Sequence, residues 1–246
     1  MSKNRLAILF LLSVLVTITL ACSLTDLTSS VLGKTGKLRS DVEVIPLKGV
    51  SNAAVNLRMG AGELKIDAGN KELAEAQFTY NVPEWKPTID YNVNGSQGEL
   101  WIKQPSVTNM GIGSYRYEWD LHLTPDIPLA LEIELGAGES QLDLSQLIVT
   151  SLEMKTGVGF VEVDLTGDRQ QDMNVSLRGG VGEVKILLPD DVGVQVQAKG
   201  GLGEIDAQGL IRDGNYYVND AYGESEHTIT LDIEGGIGAI NLEIVD

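Results

Sequence analysis

The chain has 246 residues and a formal net charge of −17; outside the first 21 residues, 16 Lys and Arg stand against 35 Asp and Glu. A surface this acidic repels phosphate backbones, which excludes nucleic acid as a partner. A single cysteine excludes a disulfide framework, and 43% apolar residues with only 5% aromatics predict a core of Val, Leu and Ile.

Residues 1–21 read as an export signal, with Lys3 and Arg5 ahead of an apolar stretch from Leu6 to Leu20. As a helix that stretch would span roughly 22 Å, short of the ~30 Å hydrocarbon core of a bilayer, so cleavage fits better than a permanent span. Leu20-Ala21-Cys22 resembles a bacterial lipobox, which makes Cys22 the predicted lipidation site. Acyl chains on Cys22 would hold the protein on a bacterial membrane, extracytoplasmic and lipid-anchored. Residues 22–42, small and polar, read as a flexible tether.

Residues 43–128 are expected to form an N-terminal β domain. Its predicted strands are Ala76–Val82, Thr88–Val93, Glu99–Lys103 and Tyr115–Leu123, broken by Pro83, Pro87, Pro105 and the Asn94-Gly95 turn. Asn70–Gln77 has the composition for a turn or two of helix, or for an exposed loop.

Residues 129–246 read as a repeat array. Gly-x-Gly elements begin at Gly60, Gly136, Gly157, Gly180, Gly201 and Gly236, and the intervals after Gly136 are 21, 23, 21 and 35 residues. Apolar residues recur five and three positions before the first glycine, one after it, then four and six after, as in Leu231, Ile233, Ile237, Ile240 and Leu242. Strand side chains alternate with period two, so keeping one face toward the core across the step from Ile237 to Ile240 requires a corner at the glycines. A unit of about 21 residues cannot bury its own apolar edge, and neighbours must stack. The predicted fold is all-β: an N-terminal antiparallel portion leading into a glycine-punctuated, β-helix-like solenoid. The extra residues of the last interval, within Gln208–His227, should loop out of one coil.

The stretches YEWDLHLTP (117–125), PLALEIELGAG (128–138) and LDLS (142–145) resemble the toast-rack extracytoplasmic proteins, over about residues 45–246. That group is related to the C-terminal region of cell-wall-active-antibiotics-response proteins and to adhesin-type β-solenoids. The resemblance implies an N-terminal β domain entering a strand repeat, and no established catalytic residues. It also implies a link to envelope-stress regulators or to multi-helix membrane segments, which this sequence lacks.

No cofactor or metal is expected. A dinucleotide fingerprint would need a third glycine where Lys65 stands. A calcium-binding β-roll would need Asp where Val184, Ile205 and Ile240 stand, and these supply no oxygen ligand. Glu63, Glu139, Glu183 and Glu204 share one repeat position, with Glu183 and Glu204 expected about 4.8 Å apart on a solvated face. His122 and His227 are expected at the surface.

Trp85, Trp101 and Trp119 are candidate ligand-binding residues, although the N-terminal aromatics serve equally well as core. Tyr216, Tyr217 and Tyr222 in the long loop are candidates of the same kind. The function these features predict is a non-catalytic, lipid-anchored cell-envelope protein, an adhesin-like scaffold presenting aromatic and loop surfaces to an envelope glycan or protein. Two alternatives stand beside it. One is a polysaccharide-active β-helix enzyme drawing acids from the Glu column and Asp190, Asp191, Asp213 and Asp220; the other is an envelope-stress sensing module.

Overall fold

The computed structural model describes residues 36–69, 71–106 and 114–245; the signal segment, Cys22 and residues 22–35 lie outside them. In chain order the strands are β1 (Arg39–Ile45), β2 (Asn52–Ala68), β3 (Ala74–Tyr80), β4 (Thr88–Asn94), β5 (Gln97–Lys103), β6 (Tyr117–Leu123), β7 (Leu129–Asp143), β8 (Val149–Asp164), β9 (Met173–Pro189), β10 (Gly193–Leu202), β11 (Ile205–Gln208), β12 (Ile211–Asp213), β13 (Tyr216–Val218) and β14 (Thr228–Val245). One 3-10 turn, Pro83–Trp85, interrupts them. All fourteen strands belong to one hydrogen-bonded sheet.

That sheet is creased. β7 and β8 run parallel, in unbroken register from Ala130↔Ser151 to Asp143↔Asp164 after a one-residue shift at Leu129↔Val149, yet only residues 144–148 join them. A straight strand of 15 residues would be roughly 50 Å long, whereas five linking residues reach at most about 20 Å. Each long strand must therefore double back along its own length, and the glycines are where it does. The first halves of β2, β7, β8, β9 and β14, with β10, make one layer; their second halves, with β11, make the other.

Within each layer one parity is buried. Val55, Leu57 and Met59 point inward before the β2 corner, and Leu64 and Ile66 point inward after it. The same alternation in the other coils closes a single aliphatic core between the layers. Val184 and Ile240 are buried and Ile205 packs against the core, so the parity switch holds. The residue between the glycines departs from the expected pattern. Val158, Val181, Leu202 and Ile237 are exposed on the outer edge of the crease, and the inward step runs from the residue before the first glycine to the fourth after it.

The crease explains the glycines. In all six corners the second glycine has φ between +139° and +152°, a region that L side chains avoid. Its neighbour is closer still: a Cβ on Gly138 would lie 1.8 Å from the carbonyl oxygen of Gly62, and one on Gly182 would lie 1.7 Å from that of Gly159. The corners thus stack backbone on backbone.

Sequence order and spatial order differ at the C-terminal end. The layers run β2-β7-β8-β9-β14-β10, so the last coil is inserted between two earlier ones. β14 pairs in parallel with β9 from Ile229↔Met173 to Val245↔Pro189, and with β10 from Gly193↔Thr228 to Leu202↔Ile237. The residues expected to loop out instead form the β12–β13 hairpin, which pairs antiparallel with β10 and extends its layer. Asn219 pegs this hairpin to the return turn. Its Oδ1 accepts from the Val194 amide at 2.9 Å, and its Nδ2 donates to the carbonyls of Val192 (2.7 Å) and Pro189 (3.2 Å).

Three N-terminal expectations are also revised. The predicted strand Ala76–Val82 is present as β3 from Ala74 to Tyr80, so residues 74–77 are strand and not the helical turn or loop read over Asn70–Gln77, because Ala74, Ala76, Phe78 and Tyr80 alternate inward. The tether gives way to strand at Arg39, where β1 pairs with β3. β2 is itself a coil of the solenoid, in register with β7 on both sides of the crease. From β2 the two layers diverge. β5 and β4 continue the first layer, while β6, β3 and β1 continue the second.

Gly182→Ala is expected to cost more than about 4 kcal/mol, because the methyl overlaps a backbone oxygen that cannot withdraw without breaking the ladder. Gly214→Ala, at φ +60° with nothing within 4 Å, should cost only about 1–2 kcal/mol. Urea unfolding of the two variants checks this, and equal losses would refute the stacking argument.

Candidate functional site

The three tryptophans have different fates. Trp85 and Trp119 are buried and join Phe78, Tyr115 and Tyr117 in an aromatic cluster of three edge-to-face pairs and one tilted pair, with centroids 5.3–5.8 Å apart. A ligand surface cannot be built on them without opening the core. They plug the second layer where it widens into β6 and β3, and burial pushes the Tyr117 phenol far above its usual range.

Trp101 lies on the outer face of the first layer and is half-buried. Its Nε1–H donates to Glu99 Oε1 at 2.9 Å. The Lys103 ammonium lies 4.0 Å from the ring centroid and the Arg58 guanidinium carbon 5.0 Å. Alternation along β4, β5 and β2 brings Asn92, Asn94, Gln97, Glu99 and Asn52 to the same face. They line an open groove of about 600 Å³, with Thr150 at its far side. Side-chain amides both donate and accept, so the groove offers hydrogen-bonding in both senses beside a flat ring. Sequence reading named Trp101 but missed the amides. Their signal was the polar side of an alternation, visible only once the strands are paired.

Tyr216 and Tyr222 are exposed and Tyr217 is half-buried. Tyr222 Oη accepts from Gln195 Nε2 at 2.6 Å, and the Arg212 guanidinium lies 5.9 Å from the Tyr217 ring centroid. β5 and β13 are seven strand spacings apart in the first layer, about 34 Å. Trp101 and the tyrosines therefore lie at opposite ends of one layer and do not form one site.

The Glu column is broken. Ala239 faces Glu183, and the register of β11 on β14 puts Glu204 beyond Ala239, so the two glutamates are about 9.6 Å apart and not the 4.8 Å expected. Both are exposed beside the crease, and Glu183 Oε1 accepts from Asn241 Nδ2 at 2.7 Å. Asp190, Asp191, Asp213 and Asp220 are exposed on a return turn, the hairpin and the turn that follows it. No groove gathers these acids among the described residues.

His122 lies partly exposed on β6, opposite Asp67 of β2 and Glu75 of β3. Asp67 Oδ1 contacts its Nδ1, and Asp120 Oδ1 lies 4.0 Å from its Nε2. The hydrogen bond to Asp67, more than any other contact, raises the imidazole pKa above its ordinary value of 6.5. Asp67, Asp120 and His122 each offer a ligand atom within 4.8 Å of one another, the set a divalent cation would use. A protonated imidazole satisfies the same carboxylates. His227 Nδ1 lies 4.0 Å from Asp172.

The family model for the N-terminal domain of toast-rack matches residues 34–187. The model for the C-terminal domain of the cell wall-active antibiotics response protein LiaF matches residues 148–242. Among solved structures, a "putative cell adhesion protein" from Clostridium sporogenes is 36% identical over 85% of this chain and 100% of that one, with a TM-score of 0.82. A "putative adhesin" from Bacteroides fragilis is 12% identical over 85% of this chain and 97% of that one, with a TM-score of 0.35. A search of the curated proteins finds no match. Among the described residues, no helix is long and apolar enough to cross a membrane.

Because the folded state raises the His122 pKa, the stabilisation is full below the unfolded value near 6.5 and is lost as pH rises through the folded value. Wild-type melting temperature should therefore decline from about pH 6 to about pH 8, and His122→Asn should flatten that part of the profile. Thermal melts across this range check it, and a rise with pH in wild type would contradict the assignment.

Proposed function

This chain belongs to the toast-rack family, and on that footing we propose that it is a non-catalytic, lipid-anchored protein of a bacterial cell envelope that holds an envelope glycan beside Trp101. The observation that carries the reading is the half-exposed indole two residues along β5 from Glu99, at the end of an amide-lined groove. Sugars present an apolar C–H face and a rim of hydroxyls. A flat ring complements the first, and Asn52, Asn92, Asn94 and Gln97 complement the second. The cell-adhesion description of the 36% identical relative supports a binding role. Exposed, dispersed carboxylates support a scaffold over an enzyme, since glycoside hydrolysis needs two acids flanking a cleft. Attachment through Cys22 rests on the Leu20-Ala21-Cys22 pattern.

A second reading, an envelope-stress sensing module with a protein partner at the β12–β13 hairpin, is favoured by the match of residues 148–242 to the antibiotics-response family. The two readings put the contact at opposite ends of the first layer.

On an array of bacterial envelope glycans, Trp101→Ala should lower binding at least about tenfold, while Tyr216→Ser with Tyr222→Ser leaves it unchanged. Loss in the tyrosine variant alone would move the contact to the hairpin, and absence of glycan binding by wild type would refute the first reading. For the anchor, palmitate should label wild type and not Cys22→Ala; an unlabelled wild type would overturn it.

A further inference from the structure

The residues between paired glycines form an exposed ridge along the crease. Strand register stacks Ala61, Ala137, Val158, Val181, Ile237 and Leu202 one above another. Side chains grow along it, and the last four are 46–70% exposed. The interior does the opposite. The inward residue just before each corner shrinks from Met59, Leu135 and Thr156 to Gly179, Gly235 and Gly200. Aliphatic bulk is thus placed outside the crease in the coils where the inside has least. Isolated surface apolar residues need no explanation, but four in adjacent strands make a contiguous patch of the kind that marks an interface.

The flanks of the ridge carry opposite charge. Arg58, Arg178 and Lys199 stand on the first-layer side, and Glu63, Glu183 and Glu204 stand at the same strand levels on the second-layer side. The other three levels carry no opposed pair: Lys155 stands opposite Phe160, Glu234 stands opposite Ala239 and beside Arg178 (3.4 Å) and Lys199 (4.0 Å) of its own flank, and Glu134 with Glu139 sets like charges together. The Glu134 charge is offset by Arg58 at 3.2 Å.

We propose that the ridge is a self-association surface on which two copies pack crease to crease about a two-fold axis parallel to the ridge. Rotation about that axis swaps the flanks, so Arg58, Arg178 and Lys199 of each copy face Glu63, Glu183 and Glu204 of the other. A two-fold axis across the ridge would instead set cations against cations. The acidic flank likewise disfavours an anionic lipid surface as the occupant.

Six strands at about 4.8 Å make a ridge roughly 24 Å long, which places the contact at the small end of specific interfaces and makes the dimer weak in free solution. The parallel arrangement puts both N-termini at the same end of the pair. Two chains anchored to one membrane meet that condition, and confinement there raises their effective concentration. The dimer does not depend on the glycan reading.

Under this symmetry each ridge residue meets its own counterpart, which a cysteine placed on the ridge can report. Full-length Val181→Cys, oxidised in membranes, should form disulfide-linked dimers where wild type, whose one cysteine is Cys22, forms none. Adding Arg178→Glu and Lys199→Glu should reduce the linked fraction about tenfold, and further adding Glu183→Arg and Glu204→Lys should restore it. Absence of linkage in Val181→Cys, or a linked fraction indifferent to the charge reversals, would overturn the proposal. So would a purified Ile237→Glu protein that loses binding to phosphatidylglycerol vesicles while the wild type stays monomeric, since the ridge would then face lipid.

Discussion

The structure depends on one contact, a glycine α-carbon against the carbonyl oxygen of the coil beside it. Parallel strands sit about 4.8 Å apart, and at the crease that spacing leaves no room for a Cβ. A methyl at the second glycine of five corners would lie 1.6–1.8 Å from an oxygen, deep inside van der Waals contact. Glycine in a strand ordinarily costs about 0.5–1 kcal/mol of chain entropy relative to alanine. Atomic overlap costs far more, so glycine is the cheaper residue here despite its flexibility.

From that contact follows the division of labour within each coil. The crease turns a strand back over itself, its two halves bury one parity between them, and the other parity is left on two outer faces. Buried positions are constrained by volume. Where the residue before the corner is glycine, a branched residue four after the first glycine fills the space, as Ile240 does beside Gly235, 3.2 Å from where its Cβ would be. Outer positions carry no such constraint. They are where Trp101 and its amides, the His122 cluster and the charged flanks of the crease are found.

The ends of the stack need separate solutions because each leaves unpaired backbone. At the first corner Gln104 Oε1 accepts from the amides of Gly60 and Ala61 at 2.6 and 3.3 Å. At the other end the β12–β13 hairpin covers the first layer, and only the short β11 closes the second. Between the return turns, the Arg169 guanidinium donates to the carbonyls of Leu147 and Leu165 at 3.3 and 2.7 Å, and burial pulls its pKa down. The position of β14 between β9 and β10 reverses the order of the chain. The coil formed by the end of the chain pairs on both sides, so β10 cannot join the stack until β14 is in place.

By itself the sequence determined the period, the corners and the inward parity, because these follow from alternation and from the steric needs of glycine, both local. It also marked the strands between Thr88 and Leu123, where prolines and an Asn-Gly turn punctuate polar-apolar alternation. Only the tertiary structure decided which strands are neighbours. Insertion of β14 beside β9 separates Glu183 from Glu204, the hairpin takes up residues that otherwise read as a loop, and pairing of β2 with β7 makes the first glycine corner part of the solenoid. Burial of Trp85 and Trp119, exposure of Trp101 and the outward turn of Val181 and Ile237 were also decided there. An alternating strand shows the same pattern whichever face is covered, and the covering comes from chain segments far away in sequence.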